Sequence, residues 1–208
     1  MSNQIQEKTV NSGTREKILA AAYSCFTEEG YSSASISKIA KRAKVLSGSI
    51  YWAFETKDKL FAEVLRMTGD QFLDSLSFSF NFENGKLTNT EEIIPTMLKN
   101  FGRGPDFLRL FLAVAVESNA GSNEVITVAK DIRAQCRAMV ETVVEANVKN
   151  LAPEIVSLNA QRISTMVIQL LDGLYVASKI EDNDVDIESY LRNILAFIDH
   201  EVQRLTAM

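Results

Sequence analysis

The sequence predicts an all-α protein of about nine helices, with an N-terminal helix-turn-helix head and a C-terminal helical body. Three observations lead to this fold class. Apolar residues recur three and four positions apart along most of the chain, which is the spacing of one helix face. Apolar and polar residues nowhere alternate in the pattern of a strand. The 208 residues are 46% hydrophobic with nine glycines and three prolines, so a disordered or collagen-like chain is excluded and a sizeable core is available.

The composition also limits the class of protein. No long apolar run and no signal-peptide segment are present, which predicts a cytoplasmic location and no membrane partner. The two cysteines, Cys25 and Cys136, lack CxxC spacing, and His200 is the single histidine. We therefore expect no disulfide framework, no metal site and no cofactor. Because the sequence has no Gly-rich phosphate loop and no nucleophile–base pair, we expect no catalytic residue and no enzyme activity.

The element on which the other helices depend is a helix-turn-helix between residues 36 and 54. The first of its helices has one apolar face, formed by Ile36, Ile39, Ala40 and Ala43. A break at residues 44–46 separates it from a very short second helix, in which Ile50 and Phe54 lie four apart. Such a pair of short helices cannot bury its apolar face alone. The second helix is short enough to enter a DNA major groove.

The fixed positions of this stretch resemble the pattern of the tetracycline-repressor (TetR/AcrR) family of bacterial transcriptional regulators. They are Gly30-Tyr31, Ile36, Ile39-Ala40, Ala43, Val45, Gly48, Ile50-Tyr51, Phe54, Lys57 and Leu60. The resemblance implies a homodimeric repressor that binds a palindromic double-stranded DNA operator. It also implies that an unidentified small organic ligand binds in the body and releases the DNA. The alternative is a related DNA-binding protein controlled by a protein partner, with no small-molecule pocket.

The residues expected at the DNA lie on the second helix and at two helix starts: Ser35, Ser47, Gly48, Ser49, Tyr51, Trp52 and Lys57. Gly48 allows close backbone approach, and the serine hydroxyls are suited to phosphates or base edges. We expect Tyr51 to bond a phosphate. For Trp52 there are two interpretations, contact with thymine methyls or sugars and packing against the first helix. Lys57 opens a fourth helix, whose N-terminus is suited to a phosphate.

Three positions in and after the turn depart from the family pattern. Lys44 stands where the family usually has glycine, at a position that tends to be left-handed, so we expect a strained turn. Leu46 stands where the family usually has a capping serine that faces a phosphate, and Ser47 is the next candidate for that cap. Ala53 replaces an aromatic or histidine residue and is too short to reach the DNA backbone.

The predicted domains are a flexible arm at 1–13, a DNA-binding domain at 14–60 and a ligand-binding and dimerisation domain at 61–208. Thr14 is the expected N-cap of the first helix. Residues 1–67 carry ten Lys/Arg against seven Asp/Glu, a net charge of +3, whereas residues 68–208 carry twelve against twenty, a net charge of −8. This asymmetry puts the basic surface with the helix-turn-helix and leaves an acidic body.

In the body, the sixth helix is apolar almost all round, which predicts a central position. The family resemblance implies that the last two helices form a four-helix dimer interface with their copies. The segment at 171–174 looks like the family's usual sequence there, and the expected dimerisation residues are Leu171, Gly173 and Leu174.

Ligand-contacting residues are expected on helices five to eight, around a mostly apolar pocket. The candidates are apolar lining residues and polar residues on otherwise apolar faces: Phe101, Glu117, Gln135, Met139, Met166, Gln169 and Tyr175. An acidic group at Glu117 favours a cationic or hydroxyl-bearing ligand. An ordinary structural role is the alternative for each of these residues.

Overall fold

The computed structural model describes residues 2–75, 80–83, 86–102, 106–116, 123–181 and 185–208, without the side chains of 2–12, 100–102 and 106. Within these ranges the chain forms nine helices and one two-stranded hairpin, which confirms the all-α prediction. The elements are α1 (Ser2–Glu29), α2 (Ile36–Ala43), α3 (Ser47–Phe54), α4 (Lys57–Ser75), β1 (Phe82–Glu83), β2 (Lys86–Leu87), α5 (Thr90–Gly102), α6 (Asp106–Val116), α7 (Asn123–Asn147), α8 (Pro153–Ile180) and α9 (Ile187–Thr206).

The N-terminal unit comprises Met1–Gln71 and Asp106–Ile132. In it α1 packs against α2 and α6, and α2 packs against α3. Its core contains a cluster of three aromatic rings, with centroids 4.9 Å apart for Phe26 and Phe61 and 4.8 Å apart for Tyr31 and Phe61. This cluster supports the base of the helix-turn-helix, because aromatic rings bury large apolar areas.

The C-terminal unit comprises Phe72–Pro105 and Arg133–Met208. Here α9 is the central element, packing against α5, α8 and β2. Its inward residues recur at helical spacing: Leu191, Ile194, Leu195, Ile198, Val202 and Leu205. The hairpin is attached to α9 by the Leu87 backbone N–H, which donates to the Asp199 carboxylate at 2.8 Å.

Three element boundaries differ from the sequence-based expectation. The first helix begins at Ser2 and not at Thr14, and the stretch before Thr14 contains no proline that would interrupt it. The loop expected at residues 81–89 contains β1 and β2, whose pairing was not predicted; Asn84 and Gly85 lie outside the described residues. The eighth helix, expected to begin near residue 158, begins at Pro153, whose missing N–H costs no helical hydrogen bond in the first turn.

The sixth helix is not central to the body, contrary to the expectation. It belongs to the N-terminal unit, where Phe107 and Leu110 are its buried residues. At its C-terminal end Val116 is 79% exposed. The apolar composition of this helix therefore did not predict its position correctly. A helix without a polar face can still have a face that no other element covers.

Candidate nucleic-acid interface

The turn between α2 and α3 is fixed by backbone hydrogen bonds. Ser35 caps α2, its hydroxyl accepting from the Lys38 N–H at 3.3 Å. At the other end Lys44 is left-handed (φ 57°, ψ 44°) and its N–H donates to the Lys41 carbonyl, while the Val45 N–H donates to the Ala40 carbonyl at 3.0 Å. These two bonds form a Schellman motif. The predicted left-handed conformation of Lys44 is thereby confirmed.

A second residue with positive φ follows α3 and was not predicted. Glu55 has φ 61° and ψ −50°, an unfavourable combination for a residue with a Cβ. Its N–H donates to the Tyr51 carbonyl at 2.8 Å, which ends α3 and allows α4 to start two residues later. A residue with positive φ therefore lies on each side of the short α3, Lys44 before it and Glu55 after it. The orientation of α3 is closely defined as a result.

The outward face of α3 presents the residues predicted to contact DNA. Ile50 and Phe54 are 1% and 4% exposed and hold α3 to the core. At about 100° per residue, Gly48 and Trp52 lie on the opposite face, and Tyr51 lies on one flank. Trp52 is 72% exposed and Tyr51 is 53% exposed. Packing of Trp52 against the first helix, one of the two interpretations, does not account for a side chain so exposed.

Among the residues that the structure describes, Leu46 is the most exposed large apolar residue, at 81%. It occupies the N-cap position of α3 and makes no capping hydrogen bond, and the Ser49 N–H bonds only its carbonyl, at 2.9 Å. Ser47 is the first residue of α3, so the predicted transfer of the cap to it does not occur. From the sequence, Leu46 was interpreted only as the loss of a capping serine, and no role of its own was predicted for it.

A cleft of about 390 Å³ borders this face. Its lining residues come from α1 and from the start and outward face of α3: Thr14, Arg15, Leu46, Gly48, Ser49, Trp52 and Ala53. The Arg15 guanidinium lies 4.8 Å from the Phe54 ring centroid and 2.9 Å from the Glu63 carboxylate. Thr14 and Arg15 were not predicted as neighbours of α3, because this contact depends on how α1 crosses the head.

Lys57 has partners inside the protein. Its ammonium donates to the Tyr31 carbonyl at 2.5 Å and lies 4.2 Å from the centroid of the Tyr31 ring, while the Tyr31 hydroxyl donates to the Asp58 carboxylate. The Thr56 hydroxyl accepts from the Lys59 N–H at 3.1 Å and caps α4. Lys57 therefore also fixes the start of α4 against the segment after α1, in addition to the phosphate contact predicted for it.

The predicted ligand residues do not form one site in the described structure. Phe101 and Glu117 lie outside the residues whose side chains are described. Gln135, Gln169 and Met166 are exposed, the last at 42%, whereas Met139 is half-buried and Tyr175 is 3% exposed. Met166 points away from the interior because α8 turns Ile163 and Val167 inward on either side of it. Its contact with a ligand stays a prediction.

The predicted dimerisation residues divide in the same way. Gly173 is exposed on α8, and a Cβ added there would meet nothing within 4 Å. Leu174 is 6% exposed and packs within the C-terminal unit, and Leu171 is half-buried. One residue changes the direction by about 100°, so leucines next to an outward glycine need not share its face. The outward face of α8 is instead formed by Ile155, Leu158, Arg162, Met166, Gln169, Leu170, Gly173 and Ile180.

By length and composition, α8 would also be able to cross a membrane, with a mean hydropathy of 1.2 over its most apolar window. Two of its charged residues are nevertheless paired with other helices of the C-terminal unit. Asp172 is 2.6 Å from Arg133 on α7, and Arg162 is 2.8 Å from Glu201 on α9. Such lateral ion pairs are typical of a helix in a packed bundle, so composition here is weak evidence for a span.

Comparisons with known proteins agree with the geometry of the head. The family model of bacterial regulatory proteins, tetR family, matches residues 18–64. The HTH-type transcriptional regulator AcrR of Shigella flexneri is 34% identical over 88 residues, which are 42% of this chain and 41% of AcrR. The HTH-type transcriptional repressor KstR2 of Rhodococcus jostii is 38% identical over 65 residues, 31% of this chain and 30% of KstR2. The chain thus matches less than half of the length of these relatives.

Solved structures extend the likeness to nearly the whole chain. A transcriptional regulator from Rhodococcus sp. Rha1 superposes with a TM-score of 0.66 at 22% identity, covering 93% of this chain and 96% of that one. The multidrug binding protein EbrR, complexed with proflavin, superposes with a TM-score of 0.61 at 18% identity, covering 89% and 99%. Identities this low show a shared fold.

The fold and the outward face of α3 define a helix-turn-helix DNA-binding protein with an all-α body. The match over 18–64, the AcrR-like relatives and the structural neighbours agree on one family. Residues 18–64 carry the helix-turn-helix of the tetR family of bacterial regulatory proteins, and the chain is similar in fold to TetR/AcrR transcriptional regulators. The relatives named here are regulators and not enzymes, which agrees with the expectation drawn from the sequence.

Proposed function

We propose that this protein is a cytoplasmic, dimeric transcriptional repressor whose two helix-turn-helix heads bind the half-sites of a palindromic operator. The observation that carries the proposal is the outward face of α3. Ile50 and Phe54 are buried and hold α3 to the core, whereas Tyr51 and Trp52 are exposed. These two large side chains do not contribute to the core and are available for contact with DNA. An eight-residue helix is about 12 Å long, which matches the width of a major groove.

The dimer proposal rests on the outward face of α8. Large apolar residues are exposed along this helix, including Leu158 at 68% and Ile180 at 73%. Exposed apolar surface of this extent is typical of a protein interface. A twofold pairing through α8 and α9 would bury these apolar side chains. The dimer would also supply two heads for one operator, as half-site recognition requires.

Release by a small organic ligand in the body is the third part of the proposal. The fold is shared with EbrR, which its structure shows complexed with proflavin. A ligand shifts the protein away from DNA only to the extent that it prefers the conformation that does not bind DNA. The alternative, control by a protein partner with no small-molecule pocket, predicts that no such compound changes operator binding.

The DNA-binding part is tested with duplexes selected by the protein from a random-sequence pool. Tyr51→Ala should weaken binding to the selected duplex, because a phosphate contact is lost. Lys57→Ala should weaken binding to all duplexes alike and lower the log–log salt slope by about one. A weaker affinity with an unchanged slope would show that Lys57 acts through Tyr31 alone. Unchanged affinity in both variants would remove α3 and the start of α4 from the interface.

The ligand part is tested with proflavin, a planar organic cation. The expected result is release of the selected duplex as proflavin is added, with Glu117→Ala reducing the release and leaving the ligand-free affinity for DNA unchanged. Because proflavin also binds duplexes directly, the control is the same titration with an unrelated helix-turn-helix protein on its own duplex. Equal release in both titrations would favour the partner-protein alternative.

A further inference from the structure

Leu46 and Trp52 bound a notch on the outward side of α3. They are 81% and 72% exposed, and neither contributes to the core of the N-terminal unit. Between them, Gly48 leaves open space, since a Cβ added to it would meet nothing within 4 Å. We call the surface formed by Leu46, Gly48 and Trp52 the apolar notch. It opens into the cleft whose far side is lined by Thr14 and Arg15.

The length of the notch along α3 matches the height of a few stacked base pairs. Gly48 and Trp52 are four residues apart and therefore occupy the same face on successive turns. Leu46 precedes the helix in extended conformation (φ −76°, ψ 147°). Six residues at a helical rise separate Leu46 and Trp52 by about 9 Å, which corresponds to two to three stacked base pairs. Ser49 also lines the cleft.

The chemistry of the notch selects among the bases. In the major groove adenine, guanine and cytosine display hydrogen-bond donors and acceptors, whereas thymine also presents a C5-methyl group. Leu46 has no polar side-chain atom, and Trp52 has a single N–H on a large apolar ring. A leucine at the N-cap also forgoes the capping hydrogen bond that serine, threonine or aspartate would make. An apolar contact across the interface is a role that a leucine fulfils and these residues do not.

We propose that Leu46 and Trp52 are specificity-determining residues that enclose thymine methyl groups of the operator half-site, with Gly48 admitting the base edge between them. This inference rests on the proposed DNA-binding function. It assigns the side chains that distinguish thymine from the other bases. The occupant of the notch is thus the methyl-bearing edge of a T·A pair, and the flanking Tyr51 and Ser47 serve the phosphates.

The test removes the methyl group without changing any hydrogen bond. A duplex selected from a random-sequence pool is prepared with thymine and again with uracil at every thymine of the half-sites. Burying one methyl group corresponds to about a fourfold change in affinity, so loss of two contacts in each half-site should weaken binding by more than about tenfold. Trp52 is the only tryptophan, so its emission reports on contact at the notch.

Two variants then locate the effect. Leu46→Ala should weaken binding to the thymine duplex and reduce the thymine-to-uracil ratio, because part of the methyl contact is gone. Trp52→Phe keeps an aromatic wall without the N–H and should preserve most of the ratio. Tyr51→Phe is the matched control on the same helix: it should lower affinity for both duplexes alike. Both substituted positions are exposed, and the unfolding temperature of each variant verifies that the fold is retained.

The outcomes separate this inference from the function on which it rests. Equal affinity of the wild-type protein for the thymine and uracil duplexes, or selected half-sites without thymine, overturns the role of the notch and leaves DNA binding intact. Loss of discrimination in Trp52→Phe but not in Leu46→Ala would show that the indole alone contacts the methyl groups, which overturns the role of Leu46. If no duplex is selected at all, the proposed function itself is wrong.

Discussion

Both α3 and α8 expose large apolar side chains, and the two faces differ in kind. The helix α3 has only eight residues, and serines and a glycine lie beside its exposed apolar side chains. On α8 they extend from Ile155 to Ile180, about 38 Å at a helical rise. A short face that mixes apolar and hydroxyl groups matches a DNA groove, which presents methyl groups, donors and acceptors together. A long apolar stripe matches another helix of the same kind.

The comparison also separates two ways of fixing a helix. α3 is held by two buried residues and by the hydrogen-bonded turns at Lys44 and Glu55 on either side of it. α8 is held by a long buried face and by ion pairs on both flanks, to Arg133 and to Glu201. The first arrangement defines a precise orientation over a short distance. The second provides a broad surface, on which a single substitution has to be disruptive to have an effect.

Gly173→Arg should have the largest effect, since it places a charge at the middle of the α8 face. Within one protomer the new side chain meets open space, so the fold should be retained. Across a twofold interface two arginines would oppose each other at a cost of several kcal/mol, which weakens the dimer by more than about a hundredfold. Sedimentation velocity should show monomers, and binding to the selected duplex should be lost together with the dimer.

Ala146→Arg is the control for this variant. Ala146 is exposed near the C-terminal end of α7, so the same charge is added to a helix surface outside the α8 face. It should leave the dimer intact. Dimers that persist in Gly173→Arg would show that α8 does not form the interface, and the contrast between the two exposed faces would then have to be explained differently.

The thiols provide a second contrast, because each unit contains one cysteine. Burial raises the pKa of the Cys136 thiol to about 11, against the lowering effect of the Arg133 guanidinium. Burial also raises the pKa of Cys25, with Arg42 opposing it. At pH 8 the thiolate fraction of Cys136 is about a thousandth, so its reaction with a disulfide reagent should be about a hundredfold slower than that of an ordinary thiol.

The measurement follows reagent consumption by Cys25→Ser, which leaves Cys136 alone, between pH 7 and pH 10. The rate should rise with pH throughout this range, since the folded pKa lies above it, and unfolding should remove the protection. For the same reason, deprotonation favours the unfolded state above its ordinary pKa, so this group lowers stability as pH rises from about 8.5 towards 11. A plateau near pH 9 would mean that Cys136 is not in a desolvated site.

The sequence predicted the elements near α3 better than those near α8. Local patterns decide the first region: Ser35 is a capping residue, Ile50 and Phe54 share a face, and Lys44 occupies a position that must be left-handed. These features depend on neighbours a few residues away. Gly173 and Leu174 were predicted together as dimerisation residues, but Gly173 is exposed and Leu174 is buried, because the rotation of a helix about its axis is set by packing with distant helices.

The predictions of where α6 lies and of where α8 begins were wrong for related reasons. A helix that is apolar all round gives no preferred direction, so the partner of α6 was not available from its pattern. Pro153 is compatible with the end of one helix and with the start of the next, and the linker length decides between them. Thr14 and Arg15, which line the cleft beside α3, are distant from it in sequence and form no motif with it.

Packed and open glycines provide a third, smaller test. A Cβ at Gly69 on α4 would come within 2.4 Å of Ile132 Cδ1, inside the core of the N-terminal unit. Overpacking typically costs about 1–3 kcal/mol, and better helix propensity returns up to about 1 kcal/mol, so Gly69→Ala should lower the free energy of unfolding by about 1 kcal/mol. Gly13→Ala on α1, where a Cβ meets nothing within 4 Å, should raise it. Urea unfolding at one protein concentration compares the two, and a gain in both would mean that Ile132 moves aside freely.

Lys44→Gly should have the smallest effect, and its sign is informative about the helix-turn-helix. Lys44 has φ 57° and closes the Schellman motif of α2 with backbone bonds alone, so glycine can make the same bonds without the Cβ penalty of a left-handed residue. Glycine also gains freedom in the unfolded chain, which offsets part of the benefit, so the expected stabilisation is up to about 1 kcal/mol.

The control is Lys41→Gly, in the last turn of the same helix, where glycine should destabilise by about 1 kcal/mol. Loss of stability in Lys44→Gly, measured in the same urea titration, would mean that the lysine side chain contributes to the turn. A gain would show that the strain is local and that the orientation of α3 is held by its core residues.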